Sequence, residues 1–276
     1  MDNQLTIKRI TLQLSRKLDP LAGESAPFEA RQLVMAATGL NQEGLLLHHG
    51  ELLSPEQEAA LAQMAEQRLR GAPLQYIIGR WDFMGLTLKV DARALIPRQD
   101  TETLCEHALG LIRQRGYQTA LDLCCGSGCI GTALGKLGGV KVDFADISPA
   151  ALELARENAQ SHGIGGRFFA SDLFAAVCGT YDLIACNPPY LTQADMDHLQ
   201  RELLAEPANA LFGGEDGLDF YRRIAGAYRG YLNPGGTLLL EVGAGQARAV
   251  DAMLPGAQRA IVRDVNNVER VVTAGI

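Results

Sequence analysis

The sequence predicts an α/β domain built on a mostly parallel sheet, preceded by a small all-α domain. Three observations carry this. From about residue 100 onward, short apolar runs of strand length alternate with segments of helical periodicity, the pattern of a parallel sheet covered on both faces. The first of those runs ends in a glycine-rich loop, and an aspartate closes the next (146 − 126 = 20 residues beyond the loop's first glycine). Residues 1–70 carry no such runs and read as helices.

Composition limits the classes of function. The chain has 276 residues, is 47% hydrophobic and 21% charged, and has a formal net charge of -7. It exceeds one average domain but cannot hold three. No stretch approaches the roughly 20 apolar residues of a membrane span, and no signal-peptide pattern opens the chain. The acidic balance argues against a broad nucleic-acid surface, which needs clustered Lys and Arg. A protein partner or a small substrate fits better. Six cysteines (Cys105, Cys124, Cys125, Cys129, Cys178 and Cys186) lie in apolar runs, as expected of buried thiols in a reducing cytoplasm. Cys124, Cys125 and Cys129 have no second Cys or His pair to complete a metal site, so none is expected.

The helical domain is expected over residues 1–72. Leu5, Ile7, Ile10, Leu14 and Leu18 form an apolar stripe near helical spacing. Pro27 suits the first turn of a second helix carrying Phe28, Leu33 and Val34. Ser54-Pro55-Glu56-Gln57 is a capping box, starting a helix that runs to a stop at Gly71. Residues 73–97 are expected to form a β-hairpin linker, with Trp81, Phe83, Leu86, Leu88 and Val90 around Gly85. The α/β domain spans 98–276. It begins with a helix at about 100–114 and has strands at 120–123, 140–145, 167–169, 181–186 and 237–242. Ser148-Pro149 caps one of the intervening helices, and 260–264 with 270–273 form a terminal hairpin.

Residues 121–131 read LDLCCGSGCIG. A strand runs into Gly126, Ser127 and Gly128, and a helix then begins. Backbone N–H groups at such a helix start suit an anionic group, and Asp146 is placed to accept both ribose hydroxyls of a nucleoside. Gly126, Gly128 and Gly131 also spell the dinucleotide fingerprint GxGxxG. The loop therefore points to a nucleoside-bearing cofactor without saying which.

Asn187-Pro188-Pro189-Tyr190 narrows the chemistry. It follows the apolar strand 181–186 directly, at the carboxyl end where ligands of a doubly wound sheet sit. Two prolines remove two backbone donors and fix φ twice, leaving a stiff loop of acceptors. The Asn187 side-chain oxygen and the Pro188 carbonyl can accept the two hydrogens of one NH₂ group. An amide nitrogen is a poor nucleophile because its lone pair is delocalised. Two acceptors raise its electron density and aim it, and orientation alone is worth up to about 7–11 kcal/mol. Tyr190 offers a flat face to the planar group. A hydride-transfer enzyme has no use for this loop. In Ser171-Asp172-Leu173-Phe174, Asp172 can accept the amino group of an adenine while Leu173 covers the ring.

These residues together resemble the class I methyltransferases, and further segments resemble the peptide-chain release factor glutamine N5-methyltransferase family. Pro73-Leu74-Gln75-Tyr76-Ile77 through Gly79 is similar to its inter-domain signature, and Leu95–Glu102 is similar to its LIPRPETE segment. Glu206-Pro207, Gly213-Gly214 and Asp216-Gly217 match the stretch after NPPY. The resemblance covers most of the chain. Gln99-Asp100 replaces the usual Pro-Glu, Cys124 and Cys125 stand where Gly and Thr are common, and Val268-Glu269-Arg270 lacks a glycine often found there. The resemblance implies a Rossmann-like, seven-stranded, mostly parallel sheet with a terminal antiparallel hairpin. It implies S-adenosylmethionine as cofactor and the glutamine of the Gly-Gly-Gln loop of class-I release factors as methyl acceptor. Cys124, Cys125, Gly126, Ser127 and Gly128 would cradle the methionine part, Asp146 the ribose, and Asp172 with Leu173 the adenine. Asn187 would touch cofactor and substrate, with Asn187, Pro188 and Tyr190 catalytic and Pro189 completing the glutamine pocket. The N-terminal helices would grip the release factor.

Three other readings remain open at this point. A sister enzyme acting on a glutamine of ribosomal protein L-three shares the NPPY chemistry, although the PLQYI and PRQDTE segments favour the release factor. A DNA adenine N6-methyltransferase also needs a clamp for a planar NH₂, but the chain lacks a basic recognition segment. A non-enzymatic cofactor-binding module would lack an intact NPPY loop.

Overall fold

A computed structural model describes residues 5–254 and 258–276. The chain forms two compact units, Met1–Gly79 with Arg201–Ala205, and Arg80–Gln200 with Glu206–Ile276.

The first unit contains α1 (Ile7–Ala22), α2 (Ala26–Thr38), α3 (Gln42–Leu47), α4 (Pro55–Leu69) and α5 (Leu74–Ile78). From the expected stripe, Ile7, Leu14 and Leu18 are buried, whereas Leu5 and Ile10 stay partly exposed. Pro27 falls in the first turn of α2. The capping box closes in both directions: Gln57 N donates to Ser54 Oγ at 3.2 Å, and Ser54 N to Gln57 Oε1 at 2.9 Å. A buried charge cluster has no counterpart in the sequence patterning. Arg68, 1% exposed, donates to both carboxylate oxygens of Glu29 at 2.7 and 3.0 Å and to Glu202. Glu202 sits on the short Arg201–Ala205 segment, which returns to this unit from far along the chain. Bidentate pairing is what makes a buried arginine tolerable.

Residues 74–78 are helical, where the sequence reading began a hairpin linker. Leu74 is buried, and Gly79, at φ 75, closes the turn by donating its N–H to Gln75 O at 2.8 Å. The hairpin itself is β1 (Arg80–Phe83) and β2 (Leu86–Lys89), turning at Met84 and Gly85. Phe83, Leu86 and Leu88 pack into the core of the second unit.

The second unit continues with α6 (Gln99–Arg115), β3 (Thr119–Leu123), α7 (Cys129–Gly138), β4 (Lys141–Asp146), α8 (Pro149–Ser161), β5 (Phe168–Ala170) and β6 (Tyr181–Cys186). Then come α9 (Gln193–Asp197), α10 (Asp219–Ala227), β7 (Leu232–Glu241), α11 (Ala247–Ala252), β8 (Gln258–Arg263) and β9 (Glu269–Gly275). The sheet order is β5-β4-β3-β6-β7-β9-β8, with β9 antiparallel to both neighbours and the pairings from β5 to β7 parallel. The expected seven-stranded sheet with a terminal hairpin is what forms. The hairpin turn manages without glycine because Asn267 takes the left-handed conformation at φ 62, one of the few residues that does so cheaply. The Asp264 carboxylate accepts from Asn266 N and Val268 N across that turn.

Strand alternation divides the core. Ala120, Leu183, Ala185 and Leu239 face α6, α7 and α8, while Leu121, Leu123, Ile184, Cys186 and Leu240 face α10 and α11. The chain runs from β3 outward to β5 on one side and then crosses back to β6 on the other. The carboxyl ends of β3 and β6 therefore flank the point where strand order reverses, the ligand crevice of doubly wound sheets.

Candidate active site

Register places the site. Leu123 pairs with both Ala145 and Cys186, Asp146 with Ala170, and Cys186 with Leu240. The loops that follow these residues leave the sheet along one edge. A pocket of about 250 Å³ opens there. Cys124, Cys125, Gly126, Ser127, Asp146, Asp172, Leu173, Asn187 and Pro189 of the expected set line it. Gly128, Pro188 and Tyr190 are absent from that lining.

The glycine loop closes on itself more than the sequence suggests. Gly126 N donates to Asp146 Oδ2 at 2.8 Å, and Gly128 N donates to Cys125 O at 2.7 Å. Those two donors, expected to face an anion, are engaged, Gly126 N by the aspartate that ends β4 and Gly128 N within the turn itself. A Cβ on Gly128 would lie 2.8 Å from Ala155 of α8, and one on Gly131 would lie 2.3 Å from the Phe144 ring. Gly128 and Gly131 of the GxGxxG pattern thus seat α7 against its neighbours. Cys124 sits at φ 58, a conformation costing an ordinary residue about 1–2 kcal/mol.

Asp146 is nearly buried, which pushes its carboxyl up, while N–H donors from Ser148, Gly126 and Ile147 pull it back. Next to it Ile147, 60% exposed, presents an apolar side chain to the pocket, and Leu173 lines the same pocket from the end of β5. A carboxylate acceptor beside two apolar faces fits a nucleoside, the acid taking ribose hydroxyls and the apolar faces covering a base. Ile147 was missed by the sequence reading, its only signal being a large apolar residue directly after the strand-end acid. Asp172, expected to accept an adenine amino group, already accepts from Arg223, which also lines the pocket, through its Oδ2 at 2.7 Å. Oδ1 remains for a ring amino group.

Asn187 stands at the head of the NPPY loop. Its Nδ2 donates to Thr101 Oγ1, in the first turn of α6, at 3.2 Å. The loop is braced from behind. Gln246 Nε2 donates to Tyr190 O at 3.0 Å, and its Oε1 accepts from Gly243 N at 3.0 Å. Leu191 N donates to Leu211 O at 2.9 Å, and Gly213 N to Leu191 O at 2.8 Å. Glu206 is buried, accepts from Ile96 N at 3.0 Å and pairs with Arg98, which ties the Leu95–Glu102 segment to the stretch after NPPY. Burial pushes the Tyr190 phenol up to about 12, so it stays neutral. Burial likewise pushes the Glu241 carboxyl, at the end of β7, up to about 7. Thr101, Glu241 and Gln246 carried no chemical signal in the sequence, because their role is a matter of which strand ends meet.

Cys105, Cys125, Cys129 and Cys186 are buried, Cys124 is half-buried and Cys178 is exposed, so the expectation of six buried thiols holds for four. Burial raises the thiols of Cys105, Cys125, Cys129 and Cys186. Among the described residues no group of three or more His, Cys, Asp or Glu is arranged to hold a metal ion, and no helix is long and apolar enough to cross a membrane.

Sheet order, switch-point pocket, strand-end carboxylate and NPPY loop define a class I S-adenosylmethionine-dependent methyltransferase. A crystal structure of a methyltransferase from Pyrococcus furiosus shares the fold, with TM-score 0.53 and 16% identity, covering 80% of this chain and 98% of that one. The family model described as Methyltransferase small domain matches residues 102–217, and that described as PrmC N-terminal domain matches residues 11–79. A release factor glutamine methyltransferase of Geobacter sulfurreducens is 42% identical over 90% of this chain and 89% of its own. One of Deinococcus radiodurans is 36% identical over 98% of each. The chain belongs to the release factor glutamine methyltransferase family.

Proposed function

We propose that this chain transfers a methyl group from S-adenosylmethionine to the side-chain amide N5 of the Gly-Gly-Gln glutamine in class-I release factors. One observation carries the chemistry: Asn187, its Nδ2 tied to Thr101, stands at the switch point on the strand next to the one that ends in the glycine loop. With Nδ2 held, Oδ1 is the end left for a substrate NH₂. The Pro188 carbonyl takes the second hydrogen. Asp146 holds the ribose, Ile147 and Leu173 cover the adenine, and Cys124 to Ser127 border the methionine arm. The bound cofactor supplies a methyl group on a positively charged sulfur. The protein's contribution is to fix the amide nitrogen in line and to keep water from the pocket. No strong base is required, because the methylated amide nitrogen sheds its proton readily. The relatives that match nearly the whole chain support the release factor over the ribosomal-protein and adenine readings. In this reading the helical unit grips the release factor, and the enzyme works in the cytoplasm without stable nucleic-acid binding.

The test offers the purified enzyme labelled S-adenosylmethionine with an unmethylated release factor, ribosomal protein L-three and adenine-containing DNA in parallel. Label on the Gly-Gly-Gln glutamine, located by peptide mass spectrometry, is the expected result. Label confined to the ribosomal protein or the DNA overturns the substrate assignment and keeps the methyltransferase chemistry.

A further inference from the structure

Cys186 pairs with Leu240, so Asn187 and Glu241 are the next residues on two adjacent parallel strands. Thr101, 2% exposed, meets them from α6 and accepts the Asn187 Nδ2 hydrogen. Glu241 is 1% exposed, and its Oε2 is buried with no hydrogen-bond partner among the described residues. The strand end does not depend on this carboxyl. Its backbone carbonyl is held by the Tyr221 hydroxyl at 2.9 Å. A buried carboxyl kept at a cost to folding, beside the residue that must orient a substrate amide, calls for a reason.

Polarity supplies the reason. The two ends of an asparagine amide have nearly the same shape, so only the neighbours decide which faces the pocket. Thr101 cannot decide alone, because a hydroxyl accepts from Nδ2 as readily as it donates to Oδ1. A carboxylate only accepts. A carboxylate that took the Thr101 proton would leave Thr101 Oγ1 as an acceptor for Asn187, the role it has here. Thr101 and Asn187 both pull the Glu241 carboxyl down, the sense that favours its charged form.

We propose that Glu241 is a positioning residue for methyl transfer: as a carboxylate it orders the chain Asn187 to Thr101 to Glu241, so that Asn187 presents Oδ1 to the substrate nitrogen. This deepens the amide-clamp reading above and rests on it. The groups facing the carboxyl are Asp100 and Cys105 from α6, Cys129 from α7, Tyr190 after β6, Tyr221 from α10 and Arg270 from β9. Burial and Asp100 raise it to about 7, against Arg270, Thr101 and Asn187. Protonated Glu241 becomes a donor and the ordering reverses, so turnover falls as the pH drops through that value.

The experiment compares wild type with Glu241→Gln in two readouts. In kcat against pH, the wild type shows an acid limb with its midpoint near 7. The variant loses that limb, and its kcat falls by about tenfold to a hundredfold, while its affinity for S-adenosylmethionine is unchanged. In ¹⁵N spectra of asparagine-labelled enzyme, the Asn187 NH₂ signal (assigned by its loss in Asn187→Asp) titrates with the same midpoint in wild type and not in the variant. Thr101→Val lowers kcat likewise, and Thr101→Ser restores it. A variant with wild-type kcat and acid limb, or an Asn187 NH₂ signal that stays fixed between about pH 6 and 8, overturns the inference. An Asn187 signal that titrates, in an enzyme that methylates another substrate, upholds it and removes only the release factor.

Discussion

Replacing Gly217 by alanine should cut turnover without touching cofactor binding. Gly217 sits at φ 73, and a Cβ there would lie 2.3 Å from the Tyr190 carbonyl oxygen and 2.6 Å from Gln246 Nε2, where ordinary contact begins at 3.4 Å. Those two atoms are partners in the 3.0 Å bond that braces the NPPY loop from behind. The carbonyl belongs to the backbone, so the added methyl must push the loop by about an ångström. A displacement of that size at the reacting groups costs on the order of a hundredfold in rate, or about 2.7 kcal/mol of barrier. The left-handed backbone adds about 1–2 kcal/mol of lost stability. Asp146 and Leu173 leave other strands and keep their places, so S-adenosylmethionine affinity by calorimetry should hold while kcat on the release factor falls. Gly85→Ala is the control: its φ is 75 with nothing within 4 Å of the new Cβ, so it pays the strain and keeps its kcat. A Gly217→Ala enzyme with wild-type turnover would show that the loop's position does not depend on this brace.

Four further outcomes are expected. Asn187→Ala should cut kcat by about two orders of magnitude, the scale of a lost oriented group, with cofactor affinity by calorimetry nearly unchanged. Asp146→Ala removes the acceptor of Gly126 N and Ser148 N as well as the proposed ribose partner. At about 1.5–3 kcal/mol for a bond to a charged group, calorimetry should show cofactor Kd rising about tenfold to a hundredfold. Arg68→Leu leaves Glu29 buried beside an apolar side chain and should cost about 3–5 kcal/mol in urea unfolding, whereas adding Glu29→Leu should recover most of it. Glu241→Gln should stabilise the fold at alkaline pH. The folded carboxyl is raised from 4.5 to about 7, so the wild type has its full stability below 4.5 and loses about 3 kcal/mol as pH rises through the folded value. Denaturation at several pH values should show the variant's advantage growing with pH.

Much of the fold was legible because it is written in local patterns. The capping box at Ser54, the Ser148-Pro149 helix start and the alternating runs are short-range signals, and each appears where its residues demand. The glycine loop and Asp146 were legible for the same reason, as a strand-loop-helix unit with its acid at the next strand end. The Leu74–Ile78 helix was not read, since five residues between proline and glycine give periodicity too little length. Arg68 meeting Glu202 across 134 residues left no trace in any window of sequence.

The same division runs through the site. Which residues can do chemistry was set by composition at strand ends: a carboxylate, a stiff NPPY loop, glycines at a turn. How they are held was set by the sheet, whose register brings Asn187, Thr101 and Glu241 together from three separate segments and sets Gln246 behind Tyr190. Side-chain polarity, burial and the pairing of Asp172 with Arg223 depend on neighbours that only folding supplies. Local sequence specifies elements and reactive groups because those depend on a few adjacent residues. Orientation and charge state depend on the low-dielectric surroundings built by distant ones.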